Sequence, residues 1–488
     1  ATDERGHTRR LRVEDGLLEP VAEPGYYDLV ASGRATRLAV APRHCPLPSG
    51  RTWGAAVQIP ALRGSTARTF GNFAELGAAV TALGQAGADA VAINPVHALF
   101  PGAGDDFSPY SPSSRLFLNS AMGDPALVGL PPLPAGEAPS LIDWPRALPE
   151  RMTQLRAIFD GLDAQRRGEV DGWAKAQGPA LHRHATFDAL DRQFRPTGAK
   201  GWQDWPTVYR DPHSGSVADF AEEKAEKVAF HLFLQWLAAK GLEAAQRSAK
   251  DSGMSIGLIG DLAVGVTPGG SDGWAMSDVM LRGLTIGAPP DPLGPLGQNW
   301  SITSFSPDGL RATGYAPWIA MIRAAMRASG GLRIDHAFGL ARLWVIPEGG
   351  TSADGAYLSF PFDDLVRLAT LEAWRADCLV IAEDLGTAPP GFTHAISDRH
   401  MLGMRVLWFE RAEDNGFMGS QDYPANAVAM TGTHDTPTVA GWWSGRDLDW
   451  AAALGRLPEN VDVTFRLLDQ RTGRVVESER SVFLGPKP

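Results

Sequence analysis

Short apolar runs alternate with helix-like stretches along most of the chain, and this alternation constrains the fold more than any other feature. The first two runs are WGAAVQIPAL and ADAVAINPVHAL, and the stretch FAELGAAVTALGQAG between them has the apolar periodicity of a helix. A strand, a helix and a second strand in this order form a βαβ unit, whose strands are parallel. Five further runs follow in the chain: MSIGLIGDLAV, GLRIDH, DCLVIAEDLG, LGMRVLWF and NAVAMTGTHD.

Polar residues gather just after the C-terminal ends of these runs, and this placement favours one class of α/β fold. Enzymes built on a (β/α)8 barrel take their catalytic residues from several strand ends on one face. We therefore predict an α/β protein with a (β/α)8 (TIM) barrel. A doubly wound sheet is the alternative, and it is weakened because no glycine-rich phosphate-binding sequence follows the first run.

The remaining sequence divides into segments around this predicted barrel, which spans residues 49–449. Residues 1–48 alternate apolar and polar positions between Gly and Pro turns, which predicts a small β-rich unit. Residues 120–250 are too long for a loop and have helical patterns, so we expect a helical insertion beside the barrel mouth. Residues 291–305 are rich in Gly and Pro, which predicts a mobile lid loop.

Composition and charge exclude several classes of partner. The 488 residues carry a net charge of -11, which argues against binding to nucleic acid or to an anionic membrane surface. No apolar run is long enough to span a bilayer, and the first residues lack the apolar core of a signal peptide. Two cysteines, Cys45 and Cys378, cannot form a disulfide framework, and Cys378 lies in an apolar run. We therefore expect reduced thiols and a cytoplasmic protein.

Four carboxylates that end candidate strands are the candidate catalytic groups: Asp261, Asp335, Glu383 and Asp435. Four like charges on one barrel mouth repel one another, so a purely structural role does not explain them. A reaction that develops positive charge does. Glycoside cleavage through an oxocarbenium-like transition state uses an ionised carboxylate as nucleophile and a protonated carboxylic acid, about 5 Å apart in retaining enzymes.

The surroundings of these carboxylates divide the roles among them. Arg333 and Asp335 lie on one face of an extended strand, and the arginine favours the ionised carboxylate, so Asp335 is the candidate nucleophile. A structural ion pair is the alternative. Glu383 follows an apolar run on the next strand, where desolvation and a neighbouring carboxylate raise a pKa, so it is the candidate acid. Asp435 with His434 is a candidate for binding sugar hydroxyls, and a turn cap in T-H-D-T is the alternative.

Two further histidines are expected to lie near the site. His97, in NPVHAL, is expected to be a hydrogen-bonded histidine at a strand end, with a substrate contact as the alternative. His336 follows Asp335 directly and points to the opposite face of the strand, so we expect it to support the site rather than to react.

Several motifs occur in a characteristic order between about Trp53 and Asp449. They are SPYSPSSRLFLN, GDLAVGV, GQNW, RIDH, GLARLWVIPEG, IAEDLG and GTHDTPTVAGWW. Any one of them could arise by chance, whereas the ordered set is highly specific. Together they resemble the 4-alpha-glucanotransferases, also called amylomaltases or disproportionating enzymes, of glycoside hydrolase family 77, which are relatives of the alpha-amylase superfamily.

The resemblance implies a retaining transferase that moves alpha-1,4-glucan segments between maltooligosaccharide donors and acceptors through a covalent glycosyl-aspartate. It implies that Asp335 is the nucleophile, Glu383 the general acid/base and Asp435 the transition-state stabiliser. It also implies that the bound glucan is contacted by Tyr110, Asp261, Trp300, Arg333 and His434. Neither a metal ion nor an organic cofactor is expected. An alpha-glucan hydrolase is the alternative, because it differs only in what resolves the intermediate.

After Asp449 the sequence departs from the family pattern. The eighth barrel strand and the PGT and Asn-Trp motifs that the resemblance leads us to expect do not follow. Residues 450–488 instead alternate apolar and polar positions around DQRTG, which predicts a β-hairpin. A barrel that is incomplete at its C-terminal end leaves strand edges exposed, so a glucan-binding protein without turnover is a further alternative.

Overall fold

The computed structural model divides the chain into two compact units, Ala1–Met401 and Leu402–Pro488. The structure describes residues 1–290, 294–413, 416–455, 461–469 and 474–482. Within these described ranges, no helix is long and apolar enough to cross a membrane.

The first unit combines strands and helices throughout its length. Its strands are β1 (Thr2–Asp3), β2 (Val13–Glu14), β3 (Leu17–Leu18), β4 (Gly25–Ala31), β5 (Arg34–Val40), β6 (Gly54–Val57), β7 (Ala90–Ile93), β8 (His97–Ala98), β9 (Ser114–Leu118), β10 (Gly257–Leu262), β11 (Leu284–Ala288), β12 (Gln298–Ile302), β13 (Gly331–Ile334), β14 (Arg342–Pro347), β15 (Ala356–Ser359) and β16 (Leu379–Ala382). Its helices are α1 (Phe73–Gln85), α2 (Trp144–Asp160), α3 (Ala164–Gln177), α4 (Pro179–Phe194), α5 (Gly215–Glu223), α6 (Ala225–Asp251), α7 (Ser271–Ala275), α8 (Pro307–Ala312), α9 (Ala316–Met326), α10 (Phe362–Ala376) and α11 (Phe392–Ser397).

A five-stranded parallel sheet organises this unit. Its strand order is β16-β13-β10-β7-β6. The parallel strands therefore lie in the sheet in the same order as they occur along the chain. Because this order never reverses, the sheet lacks the topological switch point of a doubly wound fold. The α/β class and the first five predicted strands are therefore confirmed. The pairings among the described residues do not include one that closes the sheet into a barrel.

Helices cover the sheet because its strands are almost continuously apolar. Leu332 and Val380 of β13 and β16 are fully buried in one cluster with residues of α9 and α10. Val91 and Leu258 of β7 and β10 are buried with residues of α1 and α6. Helix α1 begins at a capping box in which the Asn72 side chain accepts from a backbone N–H of the first turn. The free thiols of Cys45 and Cys378 are buried in the first cluster.

Residues 120–250 and 291–305 are assigned a secondary structure from sequence, and the structure shows which elements they form. The stretch 120–250, predicted to be helical, contains α2 to α6. The segment 291–305, predicted to be a loop, is instead a strand over Gln298–Ile302, and residues 291–293 lie outside the described part. This strand belongs to an antiparallel sheet of order β12-β11-β14-β15. It forms because alternate residues Trp300 and Ile302 pack on the apolar cluster of that sheet.

The N-terminal residues form a small antiparallel sheet of order β1-β4-β5. Strands β4 and β5 are joined by Ser32 and Gly33, which both have positive φ angles, as a tight two-residue hairpin requires. The hydroxyl of Tyr26 on β4 donates to Glu372 Oε1 on α10 at 2.6 Å. Arg323 on α9 donates to both oxygens of Glu372, at 2.8 and 2.9 Å. This buried network attaches the small sheet to the helices that cover the parallel sheet.

The second unit contains the last two predicted parallel runs. Strands β17 (Gly403–Val406) and β18 (Ala427–Met430) pair in parallel and are followed by helices α12 (Val439–Trp443) and α13 (Arg446–Ala453). Strands β19 (Val461–Asp469) and β20 (Arg474–Val482) pair antiparallel along their whole length. The predicted hairpin is confirmed over these strands, and its turn at 470–473 lies outside the described residues.

Loss of the Tyr26 hydroxyl should destabilise the first unit. Tyr26→Phe leaves a buried carboxylate with one fewer donor, so we expect the free energy of unfolding to fall by about 2 kcal/mol. Urea denaturation followed by tryptophan fluorescence measures this change. Tyr27→Phe is the matched control, because its hydroxyl donates to the Glu23 carbonyl close by in the chain and its loss should cost less than half as much. Equal costs for the two variants would contradict the attachment through Tyr26.

Candidate active site

The C-terminal ends of β10, β13 and β16 bring three of the predicted carboxylates to one edge of the sheet. Asp261 on β10 lies directly opposite Arg333 on β13 in the strand register. Asp335 N–H donates to the Leu262 carbonyl at 3.0 Å, and Glu383 N–H donates to the Ile334 carbonyl at 3.0 Å. The parallel hydrogen-bond ladder therefore continues past the strands and fixes the backbones of Asp335 and Glu383.

Arg333 joins two of these carboxylates through one guanidinium group. Its Nη1 donates to Asp261 Oδ1 at 2.7 Å, and its Nη2 lies 2.9 Å from Asp335 Oδ1. The side chains of Asp261, Arg333 and Asp335 are only 7%, 14% and 18% exposed. Burial opposes the charge on Arg333, but the two carboxylates outweigh this effect and raise the arginine pKa. The geometry therefore favours an ionised Asp335.

Tyr110 extends this network through Asp261. Its hydroxyl donates to Asp261 Oδ2 at 2.8 Å. Burial is the main cause that raises the pKa of Tyr110, and the charge of Asp261 adds to it, so the phenol stays protonated. Burial also raises the pKa of Asp261 in spite of the nearby Arg333. Tyr110, Asp261, Arg333 and Asp335 thus form one connected set of polar side chains, as their assignment to a common sugar site requires.

Glu383 lies in a different environment from Asp335. Its two carboxyl oxygens accept backbone N–H groups from His336 and Leu385, each at 2.9 Å. Burial raises the pKa of Glu383 to about 7, and the negative charge of Asp335 acts in the same direction. A substantial fraction of Glu383 is therefore protonated at neutral pH. The two carboxylates sit at the ends of adjacent strands in unlike environments, as expected for an acid and a nucleophile.

His336 connects the segment that carries Asp335 to the strand that carries Trp300. Its backbone adopts the left-handed conformation with φ of 45°, and this turn aims its N–H at Glu383. Its ring meets the Trp300 ring edge-on with centroids 5.2 Å apart. Burial lowers the pKa of His336 to about 4, so the imidazole is neutral. These contacts agree with the expected supporting role.

His97 and Arg115 hold the backbone behind the carboxylates. His97 is 5% exposed, and its Nε2 accepts the N–H of Ala263 at 3.2 Å, as expected for a hydrogen-bonded histidine at a strand end. Arg115 is buried and donates to the carbonyls of Ala263 and Val264 at 3.1 and 2.8 Å. Arg115 is not among the site residues predicted from the sequence. Its signal was a lone cation inside the apolar run of SSRLFLN, where burial requires hydrogen-bond partners.

Asp435 and His434 belong to the second unit. His434 Nε2 lies 3.2 Å from Asp435 Oδ2, and the Asp435 side chain is 78% exposed. The Thr436 hydroxyl accepts the N–H of Thr433 at 2.7 Å and donates to its carbonyl at 3.1 Å. These contacts form the turn that was the alternative interpretation of T-H-D-T, and the catalytic role of Asp435 stays a prediction. Across the described residues of both units, no group of three or more His, Cys, Asp or Glu side chains could hold a metal ion.

Asp335 and Glu383, at adjacent strand ends and in unlike environments, match the pair of carboxylates that glycoside-processing enzymes use. Residues 57–479 match the family model described as 4-alpha-glucanotransferase, glycoside hydrolase family 77. The chain belongs to this family, and the resemblance read from its motifs is confirmed.

Three relatives illustrate the extent of the similarity. The 4-alpha-glucanotransferase of Haemophilus influenzae is 35% identical and aligns over 92% of this chain and 69% of that protein. The Mycobacterium bovis 4-alpha-glucanotransferase is 35% identical over 85% of this chain and 61% of that protein. The crystal structure of amylomaltase from Corynebacterium glutamicum has a TM-score of 0.72 and 30% identity, over 92% of this chain and 66% of that one. The chain therefore spans 61% to 69% of the lengths of these relatives.

The raised pKa of Glu383 should make stability depend on pH. The folded state binds a proton up to about pH 7, whereas the ordinary value is 4.5, so the free energy of unfolding falls as pH rises between these values. Glu383→Gln removes this titration. Between pH 5 and pH 8 the wild type should lose about 2 kcal/mol more than the variant, as measured by urea denaturation.

The exposed Glu348 supplies the control, because Glu348→Gln should keep the wild-type pH dependence. Parallel pH curves for the wild type and Glu383→Gln would contradict a raised pKa at Glu383.

Proposed function

We propose that the protein is a retaining 4-alpha-glucanotransferase that acts on alpha-1,4-glucans and maltooligosaccharides. The observation that carries this proposal is the pairing of Asp335 with Arg333 beside a Glu383 whose pKa is raised to about 7. Family membership supports the substrate class. Because the chain spans only about two thirds of the length of its relatives, its activity has to be tested on this chain itself.

In the first step, the Asp335 carboxylate attacks the anomeric carbon of the bound glucan. The glycosidic carbon–oxygen bond breaks, and the departing oxygen takes the proton of Glu383. The products are a glycosyl ester on Asp335 and a shorter glucan with a free 4-hydroxyl group. Arg333 favours the ionised nucleophile, and the buried position of Glu383 favours the proton that the leaving group needs.

In the second step, the 4-hydroxyl group of an acceptor glucan attacks the same anomeric carbon. The Glu383 carboxylate takes the hydroxyl proton, and the ester bond to Asp335 breaks. Two displacements at one carbon retain its configuration, so a new alpha-1,4 bond forms. A pKa near 7 suits Glu383 to both roles, because it can donate and accept a proton at neutral pH.

The remaining site residues are proposed to bind the sugar. Tyr110, Asp261 and Arg333 are supported by their common hydrogen-bond network beside Asp335. Trp300 is supported by its contact with His336. For Asp435 and His434, the roles of transition-state stabiliser and sugar contact rest on the family resemblance alone.

The proposal includes a (β/α)8 barrel that is incomplete at its C-terminal end and contains seven parallel strands: β6, β7, β10, β13, β16, β17 and β18. The strict chain order of the first five and the parallel pairing of the last two support it. In this proposal 1–48 is a small β-rich unit, 49–449 the barrel domain, 120–250 its helical insertion and 450–488 a hairpin segment.

Incubation with maltotriose tests the proposed transfer. Transfer should yield glucose together with chains longer than maltotriose, resolved by chromatography of unlabelled products. Products that are all shorter than maltotriose would instead identify an alpha-glucan hydrolase. Binding of maltotriose without any product, measured by calorimetry, would identify a glucan-binding protein.

A donor with a leaving group that needs no proton separates the two carboxylates. Glu383→Gln should lower turnover of maltotriose by about 10²- to 10⁴-fold, because the leaving oxygen loses its acid. With alpha-maltotriosyl fluoride, the same variant should release its first fluoride per enzyme at a rate near that of the wild type, and later turnovers should be slow because the second step still lacks its base. Asp335→Asn should release fluoride only slowly and without an initial burst, since no nucleophile remains.

An ion-selective electrode measures the fluoride, and Glu348→Gln serves as the surface control. Wild-type rates of fluoride release from Asp335→Asn would remove Asp335 as the nucleophile.

A further inference from the structure

The peptide unit between Leu262 and Ala263 is hydrogen-bonded at both of its polar ends. Its N–H, on Ala263, donates to His97 Nε2 at 3.2 Å. Its carbonyl, on Leu262, accepts the N–H of Asp335 at 3.0 Å. One planar peptide therefore links the imidazole of His97 to the backbone of the proposed nucleophile.

His97 can accept this hydrogen bond only as a neutral imidazole. Burial lowers the pKa of His97 to about 3, and the positive charge of Arg115 lowers it further. A neutral imidazole that accepts at Nε2 carries its proton on Nδ1. A protonated ring would place a second N–H donor against the N–H of Ala263, and the contact would become repulsive.

Arg115 binds the carbonyls of the two peptides that follow. It donates to the carbonyls of Ala263 and Val264, so both polar groups of Ala263 are bound by buried side chains. His97 lies on β8 and Arg115 on β9, and these two strands pair with each other outside the parallel sheet. Strands β8 and β9 thus hold the segment that follows Asp261 through hydrogen bonds to its backbone. The nearby charge of Arg115 also disfavours a positive charge on His97.

We propose that His97 is a positioning residue for Asp335, acting through the Leu262–Ala263 peptide. By accepting the N–H of this peptide, His97 fixes its orientation and polarises its carbonyl, which in turn holds the Asp335 backbone. The Asp335 carboxylate then stays within reach of both Arg333 and the anomeric carbon. Errors of about 1 Å in such placement cost on the order of 100-fold in rate. This inference rests on the proposed function, because Asp335 is the proposed nucleophile.

Two substitutions at position 97 separate positioning from packing. His97→Leu fills the space but leaves the Ala263 N–H without an acceptor, whereas the side-chain oxygen of His97→Gln can accept it. For maltotriose transfer, kcat of His97→Leu should fall by about 10- to 100-fold while KM stays within about 2-fold. His97→Gln should recover most of the lost kcat.

His231→Gln is the control for loss of a buried histidine. His231 is buried in the helical insertion, 3.5 Å from Asp188, and its replacement should lower thermal stability without changing kcat. All rates are measured at a temperature where circular dichroism shows every variant to be folded. An unchanged kcat in His97→Leu, a rise in KM alone, or no rescue by His97→Gln would overturn the proposal.

Nitrogen NMR of labelled histidines gives a readout that does not depend on activity. In the wild type at pH 6, the signal that disappears in His97→Gln should show an unprotonated Nε2 and a protonated Nδ1. A His97 that is protonated at pH 6, or that carries its proton on Nε2, would overturn the positioning role. A wild type that shows this tautomer but no transfer products would contradict the proposed function instead.

Discussion

The structure of the site depends on the sharing of one guanidinium group between two carboxylates. Asp261 and Asp335 end neighbouring parallel strands, so the sheet forces their negative charges together where little water reaches them. Without Arg333 at the register position between them, burial of both charges would be very costly. Because the fork of an arginine has separate donors, Nη1 and Nη2 satisfy one carboxylate each. A lysine ammonium, as a point charge, would not hold this geometry.

Two carboxylates on adjacent strands acquire different chemistry from what surrounds them. Asp335 faces a full positive charge, whereas Glu383 is bonded to two backbone N–H groups and is otherwise buried. Backbone donors favour an ionised carboxylate less than a guanidinium does, and here burial outweighs them. The different roles proposed for Glu383 and Asp335 therefore follow from where each strand ends. Lengthening or shortening either strand by one residue would move its carboxylate to the other face of the sheet.

The parts of the fold that sequence predicts well are those with local signals. The parallel strands are short, apolar and separated by periodic helices, so all seven runs are strands in the structure. The segment around Gln298–Ile302 is predicted to be a loop from its glycines and prolines, whereas it is a strand because it pairs with β11 and packs Trp300 and Ile302 on the apolar cluster of that sheet. Arg115 was missed for a related reason, since it binds backbone carbonyls about 150 residues away. Closure of the barrel depends on strand pairing, which a local sequence pattern does not show. The role of Asp435 is not decided by local sequence either, because T-H-D-T fits both a turn and a catalytic motif.

The left-handed backbone of His336 has a consequence for which amino acids this position can accept. A non-glycine residue in this conformation carries strain of about 1 kcal/mol or more, and β-branched side chains carry the most. The left-handed conformation is required because it directs the His336 N–H toward Glu383, and this requirement does not depend on which side chain the residue carries. Main-chain geometry thus favours Gly, Asn, Asp and His at this position. The chemistry of the imidazole ring is a second, separate constraint. Invariance of such a position across a family would record the shape of the chain as much as the reaction.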